Sequence, residues 1–127
     1  MVLRMAVFPA RDSSTYELSG TRFTGLVSPS KGSTELMAWQ TEIPPGSPVT
    51  PHQVTREELV VVLSGRAQVH FGDTVTDAGP GDAIVVPPDT DFALGNPGDE
   101  PLRVLACMSV AGQARLDGET TTLPWMR

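Results

Sequence analysis

Apolar and polar residues alternate with a period of two over most of the middle of the chain. Met37, Trp39, Thr41 and Ile43 fall on one face of one stretch, Glu58, Val60 and Val62 on one face of another, and Ala67, Val69 and Phe71 on one face of a third, with Gln68 and His70 opposite. A period of two belongs to the pleated strand, whose side chains point alternately to the two sides of a sheet. On this pattern strands are predicted near Thr21–Val27, Thr34–Ile43, Val49–His52, Glu58–Leu63, Arg66–Phe71, Ala83–Val86, Asp91–Asn96 and Leu102–Val110. Turn formers punctuate them, among them Pro44-Pro45-Gly46, Ser64-Gly65, Gly79-Pro80-Gly81-Asp82, Pro87-Pro88-Asp89 and Asn96-Pro97-Gly98-Asp99. The longest window free of both glycine and proline runs only from His52 to Ser64, which leaves little room for helices. Short strands at such regular spacing predict an all-β sandwich, jelly roll or barrel.

Composition narrows the partners. The 127 residues suit one domain, 1–127, large enough to bury a core without disulfides. With 39% hydrophobic and 19% charged residues the chain is globular in composition, and its formal net charge of −6, without any basic run, argues against nucleic acid and anionic membrane surfaces as partners. The single cysteine, Cys107, excludes an intrachain disulfide and fits a reducing, cytoplasmic setting; in the apolar run Val104–Met108 it reads as a buried, inert thiol. The stretch Met1–Ala10 lacks the apolar length of a signal peptide, and the longest aliphatic run, Leu59–Leu63, is far too short to span a bilayer. Near the end, Trp125 follows a polar segment and is expected to dock on its own barrel or on a partner's.

Two spaced frames carry more. Gly46 is followed after five residues by His52, then Gln53 and Val54, then after three residues Glu58, and after six more Gly65. Gly81 is followed after five residues by Pro87, then Pro88, Asp89, Phe92 and Asn96. These frames resemble the two cupin motifs: Gly, five residues, His, any, His, three or four residues, Glu, six residues, Gly; and Gly, five residues, Pro, any, Gly, two residues, His, three residues, Asn. The spacing is kept, but Val54 and Phe92 stand where the motifs have histidine, and Asp89 where the second has glycine. The resemblance, over about 34–110, implies a single double-stranded β-helix, the jelly-roll barrel of the cupin superfamily, with N-terminal strands in 1–33 and a C-terminal extension over 111–127.

In metal-binding cupins three histidines and a glutamate point into the barrel and hold a divalent ion. Carried over position by position, the resemblance leaves only His52 and Glu58 as metal ligands, so at most a weakly held Zn, Ni, Fe, Mn or Cu is expected and no cofactor otherwise. His70, the other histidine, reads as a surface residue from its strand face.

His52 and Glu58 in an apolar barrel are also a workable general acid–base couple, because burial opposes both charged forms. A buried ion pair without chemistry is the plainer reading of the same two residues. Val54, Val60, Val62, Phe92, Trp39 and Gln40 are the candidate ligand-contacting residues, and apolar or aromatic metabolites would suit such walls. The leading expectation is a small-molecule-binding cupin, a metal-independent acid–base enzyme of isomerase, epimerase, cyclase or dehydratase type acting through His52 and Glu58. A metal-dependent, dioxygenase-like enzyme with an incomplete site and a non-enzymatic ligand sensor are the alternatives. A homodimer is expected from strand edges that need protection and from the apolar tail.

Overall fold

The computed structural model describes residues 5–127; residues 1–4, part of the stretch read above for a signal peptide and of the N-terminal strand region, lie outside them. The described residues form twelve strands: β1 (Ser14–Leu18), β2 (Thr21–Val27), β3 (Leu36–Ile43), β4 (Gln53–Val54), β5 (Glu58–Ser64), β6 (Ala67–Phe71), β7 (Thr74–Ala78), β8 (Ala83–Val86), β9 (Phe92–Gly95), β10 (Leu102–Ser109), β11 (Ala114–Leu116) and β12 (Glu119–Thr121), with three short 3₁₀ turns. Every pairing is antiparallel.

A six-stranded sheet runs β1-β2-β3-β10-β5-β8, and two three-stranded sheets, β12-β11-β4 and β7-β6-β9, complete the barrel. The alternation read from sequence is the alternation observed. In β3, Met37, Trp39, Thr41 and Ile43 are buried while Leu36 and Gln40 are exposed, and in β10 Leu102, Val104, Ala106 and Met108 face inward. These rows meet Val60 and Val62 of β5, Ile84 and Val86 of β8, Val69 of β6 and Phe92 of β9 in one core. Each such side chain contributes on the order of 1.5–3 kcal/mol when fully removed from water.

Motif positions outside the cavity serve the frame. Gly65, at φ +83°, turns β5 into β6, and a Cβ there would lie 2.8 Å from the Pro101 carbonyl oxygen, so only glycine fits. The buried Asn96 amide donates to the carbonyl oxygens of Ile43 (2.9 Å) and Glu100 (2.8 Å) and accepts from the Gly98 N–H (3.0 Å), stapling the β9–β10 turn to the end of β3. Asp89, where the second motif has glycine, sits at φ +58°, a left-handed conformation that aspartate tolerates better than most residues.

The predicted strand at Val49–His52 does not form. Pro44, Pro45, Pro48 and Pro51 keep 44–52 as a loop by removing backbone donors, and only Gln53–Val54 pair as a strand, with His52 bridging singly to Phe92. Five strands escaped the sequence reading: β1, β4, β7, β11 and β12. In β7 four of five residues are exposed, so no apolar alternation marks it. The C-terminal extension is a hairpin, β11–β12, followed by a 3₁₀ turn at Pro124–Met126.

Candidate functional site

The interior holds a cavity of about 200 Å³ between the large sheet and the β4, β9 and C-terminal segments. Glu58 opens β5 and points into it, because it shares the inward face with Val60. His52 enters from the end of the proline loop, fixed by paired backbone hydrogen bonds with Phe92 (2.9 Å each way). Its ring lies 4.3 Å from the Phe92 ring, tilted by 48°. The walls are apolar: Trp39, Val54, Val60, Phe92, Val104 and Met108 among others. The tail closes one side, where Trp125 stacks face to face on Phe23 at 3.7 Å and, with Leu123 and Met126, lines the space. Trp125 is thus buried on its own barrel, one of the two outcomes the sequence allowed.

Both titratable groups feel the dry walls. Burial pushes the Glu58 carboxyl up to about 7. Among the described residues it has neither hydrogen-bond nor ion-pair partner, His52 included, so the buried ion pair entertained above is not what forms. Burial pulls the His52 imidazole below its ordinary value, opposed in part by a hydrogen bond from Nδ1 to the Thr50 carbonyl oxygen at 3.1 Å. That oxygen can only accept, so Nδ1 carries the proton and Nε2 the lone pair.

Of the other candidates, Val54, Val60, Phe92 and Trp39 line the cavity with the pair. Val62 points inward but lies in the packed core, away from the lining. Gln40 is on the opposite face: one residue after the inward Trp39, it joins Arg22, Thr24 and Arg103 around an outer depression. Strand periodicity settles that facing once Trp39 is known to be inside. His70 is no free surface residue. Its Nε2 is buried and, among the described residues, has no hydrogen-bond partner; it lies close to Gly95, beside which Val49 also packs. Cys107 is half-buried on the outer face, beside Ala38 and Leu59 in register, rather than in the core.

Sequence reasoning missed Leu123 and Met126 as cavity residues, and a polar network beside His52. There the Arg115 guanidinium donates to Asp89 (2.7 Å) and Gln53 (3.0 Å), and the Gln53 amide donates to Asp91 (2.9 Å), tying β4 and β11 to the β8–β9 loop. Nothing in spacing links residues so far apart in the chain.

The donor set for a metal is small. Among the described residues no group of three or more His, Cys, Asp or Glu converges, and two of the four family ligand positions hold Val54 and Phe92. The residues present do not fit the usual three-histidine, one-glutamate centre.

An antiparallel jelly-roll barrel with a motif His and Glu directed into an apolar interior is the architecture of a cupin. The chain belongs to that family: the Cupin domain family model, Cupin_2, matches residues 39–108, inside the 34–110 core marked by the two motifs. The uncharacterized protein MJ1618 of Methanocaldococcus jannaschii is 33% identical over 66 residues, 51% of this chain and 53% of the relative, so the chain spans about half the length of the curated relative it matches. Among solved structures, the polyketide cyclase RemF from Streptomyces resistomycificus aligns at TM-score 0.71 and 19% identity over 94% of this chain and 82% of its own. An RmlC-like cupin from Shewanella frigidimarina aligns at TM-score 0.70 and 18% identity over 84% of this chain and 91% of its own. These likenesses establish the fold. No helix among the described residues is long and apolar enough to cross a membrane.

Proposed function

We propose that this cupin binds a small molecule in its barrel and moves a proton on it, with His52 as base and Glu58 as acid and without a tightly held metal. One observation carries the reading: Glu58, without a partner among the described residues, lies in an apolar cavity, its carboxyl pushed up to about 7, facing the same space as a neutral imidazole. A carboxyl poised near neutrality is the usual equipment of a general acid, and a lone pair on a desolvated imidazole that of a base. In such a step Nε2 accepts a proton from a substrate carbon or hydroxyl while Glu58 gives one to a substrate oxygen. The two protons balance, and no redox partner is needed. Isomerisation, epimerisation, cyclisation and dehydration all fit this scheme. The shared fold with a polyketide cyclase over most of the chain is in keeping with it.

The pH window follows. His52 must be neutral and Glu58 protonated, so turnover falls on the acid side as His52 charges, below its ordinary 6.5, and on the alkaline side as Glu58 ionises at about 7. The test is the titration of the Glu58 side-chain carboxyl by carbon-detected NMR. A midpoint at about 7 is expected, and one near 4.5 would remove the acid from the scheme.

The same reading includes a homodimer and a cytoplasmic setting. Leu59, Leu63 and Val85 stand 42%, 43% and 54% exposed on β5 and the edge strand β8, where a second copy would cover them, and the lone Cys107 suits a reducing compartment.

A further inference from the structure

We infer that the cavity takes an uncharged single-ring molecule bearing a hydroxyl, held between the His52 Nε2 lone pair and the Glu58 carboxyl, and rejects carboxylates and phosphates. The inference rests on the acid–base reading above and names the class of molecule that site accepts.

Three observations converge. The first is charge. Among the described residues that line the cavity there is no lysine or arginine, and the titratable ones are His52 and Glu58 alone. The arginines of the flanking elements are engaged elsewhere: Arg115 with Asp89, Arg22 and Arg103 with Glu42 on the outer face, and Arg127 with the Thr122 carbonyl oxygen. An anion entering here would shed its hydration and meet no counter-charge, which is strongly unfavourable in an apolar surround. A cation fares little better while Glu58 is protonated, since the one group able to neutralise it is itself neutral below about 7.

The second is hydrogen-bonding capacity. His52 Nδ1 is committed to the Thr50 carbonyl, which leaves Nε2 as an acceptor, and the protonated carboxyl of Glu58 is a donor without a partner among the described residues. A hydroxyl is the small group that donates to one and accepts from the other. A ligand lacking it would leave both polar groups buried and unsatisfied, the circumstance in which a site discriminates most sharply.

The third is shape. About 200 Å³ lies below the roughly 300–1,000 Å³ of pockets that enclose drug-sized molecules, so one ring with short substituents is the natural fill. Trp39, Phe92 and Trp125 are among the lining residues and supply aromatic surface for it.

The experiment uses four probes of nearly equal size: benzyl alcohol, benzoate, benzylamine and toluene. Binding is followed at pH 6 through the indole N–H signals of Trp39 and Trp125. Benzyl alcohol is expected to bind at least about tenfold more tightly than each of the others. Raising the pH to 8 should weaken benzoate further in the natural protein, as Glu58 ionises, but not in Glu58→Gln. In His52→Phe the advantage of benzyl alcohol over toluene should shrink while toluene affinity persists, which shows that the cavity is intact. Equal or tighter binding of benzoate, of benzylamine or of toluene overturns the inference and leaves the acid–base reading standing. If none of the four binds, both fall.

Discussion

Glu42 and Glu58 sit on the two strands that flank β10, and they could hardly be treated more differently. Glu42 of β3 faces out, opposite Arg103, within 3.1 Å of that guanidinium and 3.8 Å of Arg22. With Glu17 opposite Arg22, the outer surface carries an alternating row across four strands, Glu17, Arg22, Glu42 and Arg103. Glu58 of β5 faces in, opposite Met108, with no partner among the described residues and a carboxyl pushed up to about 7. The same side chain is paired with arginines on one face of a sheet and buried among apolar walls on the other. The difference lies in dielectric and partners, and a one-residue change of facing is enough to produce it.

The buried inner face is expected to carry most of the stability, and the outer row little of it. The largest expected effect is on the inner side. Trp125→Ala removes the ring stacked on Phe23 and opens the cavity wall, at a cost of about 3–5 kcal/mol. Thermal unfolding should show a drop on the order of 10 °C or more; an unchanged midpoint would mean that the tail is not part of the core.

Next comes Glu58→Gln. Because the folded-state carboxyl titrates at about 7 and the unfolded one near 4.5, the folded protein binds the extra proton between those values. Stability therefore falls as pH rises through that window, by at most about 3 kcal/mol. His52 works in the opposite sense: held neutral by burial, it makes the fold less stable as pH drops below 6.5. Denaturant titrations at pH 5 and 8 should show the natural protein losing stability toward pH 8 relative to Glu58→Gln, and parallel curves would contradict the desolvated carboxyl. The smallest effect belongs to Glu42→Gln, which should change stability by less than about 1 kcal/mol and still less in high salt. A larger loss would erase the contrast.

Much of this was legible before any coordinates. The spacing from Gly46 to Gly65 and from Gly81 to Asn96 marked the barrel. Alternation placed β2 and β8 to the residue, and β3, β5, β6, β9 and β10 within a residue or two. Facing could be read wherever an aromatic or β-branched row fixed the inner side, which is why Trp39, Val60 and Glu58 were assigned inward. Gln40 was misassigned because a polar residue beside a tryptophan carries no facing of its own until its neighbour is placed. β7 was silent because four of its five residues are exposed, and β11 and β12 because three residues each are too short to show a period; backbone pairing holds all three.

The sequence by itself determined the period-two pattern, the turns and hence the cupin frame, together with the replacement of two family histidines by Val54 and Phe92. These are properties of chain geometry and residue chemistry, and they need no long-range information. Only the tertiary structure decided that His52 and Glu58 share a cavity without touching, that the Nε2 of His70 is buried, and that the last residues return to wall the barrel with Trp125 and Met126. Those facts depend on which distant segments exclude water from one another, and the degree of that exclusion sets how readily Glu58 gives up its proton.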